Sequence, residues 1–369
     1  MTIADRVERV RARLADTDTD VNALLVSDLT NLRWLTGFTG SNGWAVVARD
    51  GLTLVTDGRY GAQAGQQLAA AGVEGTVLVG TSGAETMAHL ASLCGLHDRV
   101  GFEGDHVSFA QHSRWVAAFD TELRPTAGIV EAERRVKSPE EIECMAQACR
   151  IADQALAEVA PRLGDGLTEA QVRNLLEIRM RELGATGPSY DTIVATGPVN
   201  AALPHHRPTD TLIEPGHTVI IDVGALVGGY HSDMTRSFVV GDPTLLQREM
   251  YELVLAAQCA GVAAVGPGVP ASHLDAVCRD VISGAGYGDW FTHGTGHGVG
   301  LLIHEDPFVN RVSEATLQVG DVVTVEPGVY RGGFGGIRVE DLVVVTSDGC
   351  RVLTASPKDS PCLPSRPTT

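Results

Sequence analysis

Apolar residues recur along this chain with two different spacings, and the alternation between them sets out its elements. Up to residue 125, short apolar and β-branched runs at 23–27, 44–48, 52–56, 76–79 and 99–103 predict strands. Between them, apolar residues three and four apart predict helices over 6–14, 60–71, 84–93 and 108–119. Strands alternating with helices predict an α/β domain of ordinary size. Residues 125–137, with the charged run Glu131-Ala-Glu-Arg-Arg, read as a connection. We therefore expect an N-terminal domain over 1–130 and a second domain over 131–369.

The second domain opens on a helix start. Ser138 can cap, Pro139 stands at the first helical position and Glu141 completes a capping box. Ile142, Met145, Cys149, Ala152 and Leu156 then form one apolar face. A second helix is expected over 168–183, ending at Gly184, and a strand over 191–196. The stretch VIIDVGALVGGYHSDMTRSFVV (219–240) reads as two strands joined near Val227, Gly228 and Gly229. With the turn centred on Val227-Gly228, Asp222 and Asp233 face each other across the hairpin.

The pattern then repeats. IEPGHTVIIDVG (213–224) parallels LQVGDVVTVEPG (317–328), so that Asp222 matches Glu326. Downstream, the strand with Asp233 parallels the strand with Glu340. Each copy is preceded by two helical patterns, the later pair at 245–265 and 271–283, and by a histidine, His205 or His304. Residues 138–350 thus read as two copies of helix–helix–strand–hairpin. A pseudo-twofold would bring the two acidic hairpins together.

Composition changes this picture at one point. Acids are rare in apolar strands, and opposed buried carboxylates repel. Divalent cations between them resolve the conflict. Oxygen-rich ligation joined by a histidine from HGTGHGVGLLIHE suits Mn²⁺ first, with Co²⁺, Fe²⁺ or Zn²⁺ as alternatives. Four carboxylates fit two ions better than one, and paired ions suit hydrolysis. The glycines at 294, 296, 298 and 300 allow close approach of backbone and substrate. The Gly37–Gly43 stretch lacks the lysine and setting of a phosphate loop.

The remaining composition excludes partners. A net charge of −18 argues against nucleic acid and anionic membranes. No apolar run is long enough to span a membrane, and the N-terminus lacks the apolar centre of a secretory signal. Seven scattered cysteines without metal spacing read as reduced thiols, hence a cytoplasmic setting. The last dozen residues, rich in Pro, Ser and Thr, read as a loose tail.

With these residues assembled, the chain resembles the pita-bread metallopeptidases, the group of aminopeptidase P, prolidase, methionine aminopeptidase and the non-metal relative creatinase. The resemblance implies an α+β pita-bread catalytic domain behind the α/β N-terminal domain. It implies two divalent ions held by Asp222, Asp233, His297, Glu326 and Glu340, with Asp233 and Glu340 bridging. It further implies substrate-handling histidines at His205, His293 and His304, with His205 preferred to His206. Glu326 would shuttle a proton, His304 would stabilise the oxyanion, and Arg338 would orient the carboxylates, with Tyr330 nearby. NLRWLTGFTGS (31–41) and TDGRY (56–60) are similar to the N-terminal domain of aminopeptidase P and prolidase. The implied activity is release of the first residue from short peptides with proline at position two, by an aminopeptidase P. The alternatives are a prolidase restricted to Xaa-Pro dipeptides and a non-catalytic binding protein on the same fold. Relatives of this kind are commonly homodimers.

Overall fold

The computed structural model describes residues 2–15 and 20–363. The chain divides into two compact units, Met1–Arg134 and Arg135–Thr369.

The first unit is built on a six-stranded mixed sheet. Its central strand Ala23–Val26 runs parallel to Arg99–Glu103 and antiparallel to Gly43–Ala48. The helices Ile3–Ala15, Gly61–Ala70, Gly83–Cys94 and Phe109–Ala118 stand where the periodicity predicts them. Three further elements were not expected. Helix Leu29–Thr36 is capped by Asp28 and ends at Gly37, whose φ of 72° suits glycine. Strand Glu122–Thr126 adds an edge to the sheet. The expected connection contains a helix, Ile129–Arg135.

The second unit carries the repeat. Helix Pro139–Val159 begins at Ser138 with the full capping box to Glu141. It packs with helix Glu169–Glu182 over a core containing Leu156, Leu176, Val219 and Ile221. The second copy pairs helices Leu245–Ala264 and Ala271–Gly284 over Val254, Leu274, Val323 and Val343. In the first copy, strand Thr218–Asp222 lies between Ile193–Thr196 and Thr235–Val239. In the second, Val322–Val325 lies between Gly296–Gly298 and Asp341–Thr346. The copies meet along their hairpins. The Glu340 backbone N–H donates to the Thr235 carbonyl at 3.2 Å. Ser237 Oγ donates to the Arg338 carbonyl at 2.8 Å and accepts from its N–H at 2.9 Å.

The first hairpin turns one residue later than expected. Gly228 and Gly229 have φ of 57° and 85°, and Val227 pairs with Tyr230. Such a two-residue turn needs positive φ at both central positions, which the glycine pair meets without strain and Val227 would not. The slip changes the partners. Asp222 pairs with Thr235, not with Asp233. In the second copy, Val325 pairs with Asp341 and Gly328 with Arg338, a register that sets Glu326 opposite Glu340.

The expected loose tail is in part docked. The Val239 N–H donates to the Pro361 carbonyl at 2.8 Å, and Leu363 packs on the first-copy core. Residues 364–369 lie outside the described residues. No described helix is long and apolar enough to cross a membrane.

Candidate metal centre

Four strand ends and one glycine-rich segment bring the predicted acids together. Asp222 ends its strand, Asp233 precedes the next, and Glu326 and Glu340 stand between paired segments of the second hairpin. His297 lies at the centre of the short strand Gly296–Gly298. Glycine on either side of His297 is a packing requirement. A Cβ at Gly296 would overlap the Thr324 carbonyl, and one at Gly298 the Asp306 carbonyl. Gly298 thus serves strand contact; of the four glycines, Gly294 and Gly296 line the cavity itself.

All five side chains line one cavity of about 570 Å³, together with His205, His293, His304, Arg338 and Tyr190. Asp233, His297 and Glu340 are buried and offer ligand atoms within 4.8 Å of one another. His297 Nε2 lies 3.5 Å from Asp233 Oδ2 and 3.5 Å from Glu326 Oε1. Its Nδ1 donates to the Gly298 carbonyl at 3.1 Å, which leaves the Nε2 lone pair facing the carboxylates. Burial pushes the His297 pKa down to about 4, so the ring is neutral.

The carboxylates are under the opposite pressure. Burial first, then neighbouring acids, holds Asp233 and Glu340 well above the usual carboxylate range. Burial pushes Glu326 up to about 8. A buried lone pair facing buried carboxylates is costly unless positive charge lies between them. The donor set, carboxylate oxygens with one imidazole nitrogen, fits divalent cations of the Mn²⁺ to Zn²⁺ type.

The groups around the acids explain how they are held. Arg338, 2 % exposed, donates from Nη2 to Asp222 Oδ2 at 2.7 Å and from Nε to Thr235 Oγ1 at 2.9 Å. Its Nη1 reaches the Pro204 carbonyl at 2.9 Å and the Tyr330 hydroxyl at 2.8 Å. Thr235 Oγ1 donates to Glu340 Oε2 at 2.7 Å. His293 Nδ1 donates to the Gly294 carbonyl at 2.7 Å, and its Nε2 accepts from the Tyr330 hydroxyl at 2.9 Å. Both ring nitrogens of His293 are thus spent inside the protein, and the ring itself is what it offers the cavity.

The two remaining histidines are exposed at the cavity wall. His304 stands edge-on to His297 with ring centroids 4.4 Å apart. His205 lines the cavity, whereas His206 is turned to the buried Glu169, 2.9 Å from its Oε2.

Sequence reasoning missed Tyr190. Its hydroxyl bonds to Asp222 Oδ1 and, at 2.5 Å, to Asp233 Oδ1. Burial, then Asp222, holds this phenol neutral, well above its usual pKa. One proton cannot serve both carboxylates at once, and Asp222 also accepts from Arg338, so Asp233 is the less satisfied of the two.

The metallopeptidase family M24 model matches residues 143–347, over the whole of this site. The chain belongs to metallopeptidase family M24. A model of the creatinase/prolidase N-terminal domain matches residues 6–136. The Xaa-Pro dipeptidase of Pyrococcus furiosus is 43 % identical over 238 residues, 64 % of this chain and 68 % of the relative. The structure of an Xaa-Pro dipeptidase from Bacillus anthracis superposes with a TM-score of 0.93 at 36 % identity, covering 98 % of this chain and 100 % of that one. An X-Pro aminopeptidase from Thermotoga maritima follows at 0.87 and 32 %, covering 96 % and 99 %. This M24 chain therefore has neighbours of the prolidase and X-Pro aminopeptidase kind over nearly its whole length, as the pita-bread resemblance implied.

Proposed function

We propose that this M24 metallopeptidase is an Xaa-Pro dipeptidase that uses two divalent cations, Mn²⁺ first. The expectation from sequence leaned to aminopeptidase P. The dipeptidases named above are more similar to this chain than the aminopeptidase is, and they support the alternative. The observation that carries the metal-dependent reading is the buried group of Asp233, His297 and Glu340, with Asp222 and Glu326 at its edges. When bound, paired cations lower the pKa of water and polarise a carbonyl oxygen, which is the chemistry of hydrolysis.

The protein's own groups supply the rest. Glu326, which lines the cavity beside the buried ligand group, is assigned the proton transfer. His304, exposed at the cavity wall, offers an N–H to the substrate carbonyl oxygen as negative charge develops there. His205 holds the substrate backbone, and the His293 ring shields the site from water. Arg338 fixes Asp222 and the Pro204 carbonyl in one gesture.

The test compares an Xaa-Pro dipeptide with an Xaa-Pro-Yaa tripeptide in Mn²⁺, with elemental analysis of the purified chain. Two metals per chain and a dipeptide preference are expected. A tripeptide preference returns the enzyme to aminopeptidase P. Metal-loaded protein that cleaves neither peptide refutes the proposed reaction.

A further inference from the structure

A dipeptidase must tell a terminal proline from one continued by a peptide bond. The difference is one negative charge, on the residue adjacent to the scissile carbonyl and so within the same cavity. Two permanently charged cationic side chains line that cavity, Arg207 and Arg338. Arg338 is buried and committed to Asp222, Thr235, Tyr330 and Pro204. Arg207 is exposed, and among the described residues its guanidinium has no hydrogen bond or ion pair. The histidines are cations only when protonated.

The backbone carrying Arg207 is held on both sides. The Pro204 carbonyl accepts from Arg338 at 2.9 Å. Beyond it, His206 lies 2.9 Å from Glu169 Oε2, and the Thr209 N–H and hydroxyl donate to the same oxygen at 3.0 and 2.9 Å. Glu169 is fully buried. His205 and Arg207 therefore line the cavity while His206, between them, turns to the interior. An exposed guanidinium, without a hydrogen bond or ion pair among the described residues, thus stands in the cavity on a loop held from both sides.

We propose that Arg207 binds the free carboxylate of the substrate's terminal proline and so selects dipeptides over longer peptides. The inference rests on the dipeptidase reading. A guanidinium fork matches a carboxylate with two parallel hydrogen bonds, and a neutral peptide carbonyl at the same place cannot replace them.

The experiment uses the metal-loaded full chain with Xaa-Pro and its C-terminal amide, Xaa-Pro-NH₂, which removes the charge and little else. Wild type should prefer the acid. Arg207→Gln should raise KM for the acid about 10- to 100-fold, the weight of one charge-assisted pair. The rise for the amide should stay below about threefold, and Arg207→Lys should recover part of the preference. Inhibition by free L-proline should weaken in the Gln variant while inhibition by prolinamide does not. An equal rise for acid and amide, or none, overturns the assignment. So does a wild type that cleaves the amide as well as the acid, although Xaa-Pro hydrolysis itself then stands. A metal-loaded wild type that cleaves no Xaa-Pro bond overturns both the reaction and the assignment.

Discussion

Arg338→Met keeps most of the side-chain volume and removes the guanidinium that ties the site together. The lost donors serve Asp222 Oδ2, the Pro204 carbonyl, Thr235 Oγ1 and the Tyr330 hydroxyl. Thr235 and Tyr330 keep other partners, Glu340 and His293. Asp222 Oδ2 and the Pro204 carbonyl, both part-buried, bear the loss, while Asp222 keeps Tyr190 on its other oxygen, so each costs about 1 kcal/mol or more. Breaking a buried ion pair from one side costs about 3–5 kcal/mol in all, which includes those terms. That is a large share of the ~5–15 kcal/mol that holds a typical domain folded. A second effect concerns the cations. Arg338 opposes the rise in pKa at Asp233, Glu326 and Glu340. Without it, protons compete better for the ligand oxygens, and cation affinity at neutral pH should fall about 10- to 100-fold. Denaturant unfolding of metal-free protein measures the first loss, and calorimetric titration with Mn²⁺ the second. Arg338→Lys keeps the charge without the fork, so it should retain more affinity than stability. If Arg338→Met unfolds within about 1 kcal/mol of wild type and binds Mn²⁺ equally well, the guanidinium does not hold the site and the argument fails.

Two other predictions concern acid–base behaviour and catalysis. Glu326 has a folded pKa of about 8 against an ordinary 4.5, so the metal-free folded state binds the extra proton. Its stabilising contribution is complete below pH ~4.5 and is lost as pH rises toward ~8. Thermal unfolding in chelator should therefore fall in midpoint from pH ~6.5 to ~8, above the range where the depressed His293 and His297 act with the opposite sign, while saturating Mn²⁺ should remove or reverse the fall; a midpoint that climbs over that upper range in chelator would contradict the burial argument. His304→Ala should lower kcat about 100-fold, the typical cost of one oxyanion donor, and leave metal content unchanged by elemental analysis. Metal loss in that variant would instead make His304 a ligand.

What the sequence displayed was local. The capping box at Ser138 and the helical and strand periods need only a few neighbouring residues, and they stand where expected. Strand Glu122–Thr126 escaped because an edge strand can carry Pro125 and a polar face. Tyr190 escaped for a different reason. Its link to Asp233 spans 43 residues and exists only once Ile193 pairs with Asp222, a fact of register and not of composition. Register also decides what the duplication means. Counting acids suggested two equivalent pairs. The glycine turn instead places Thr235 opposite Asp222, where the second copy places Glu340 opposite Glu326. A hydroxyl thus stands in the first copy where the second has a carboxylate, and that hydroxyl donates to the same carboxylate, Glu340. Asp233, displaced along the strand from that position, meets His297 and Glu340 instead. The asymmetry relieves a crowding that strict repetition would impose. It also gives Arg338 a hydroxyl to hold from one nitrogen while another holds Asp222, so a single side chain fixes both strands of the first hairpin.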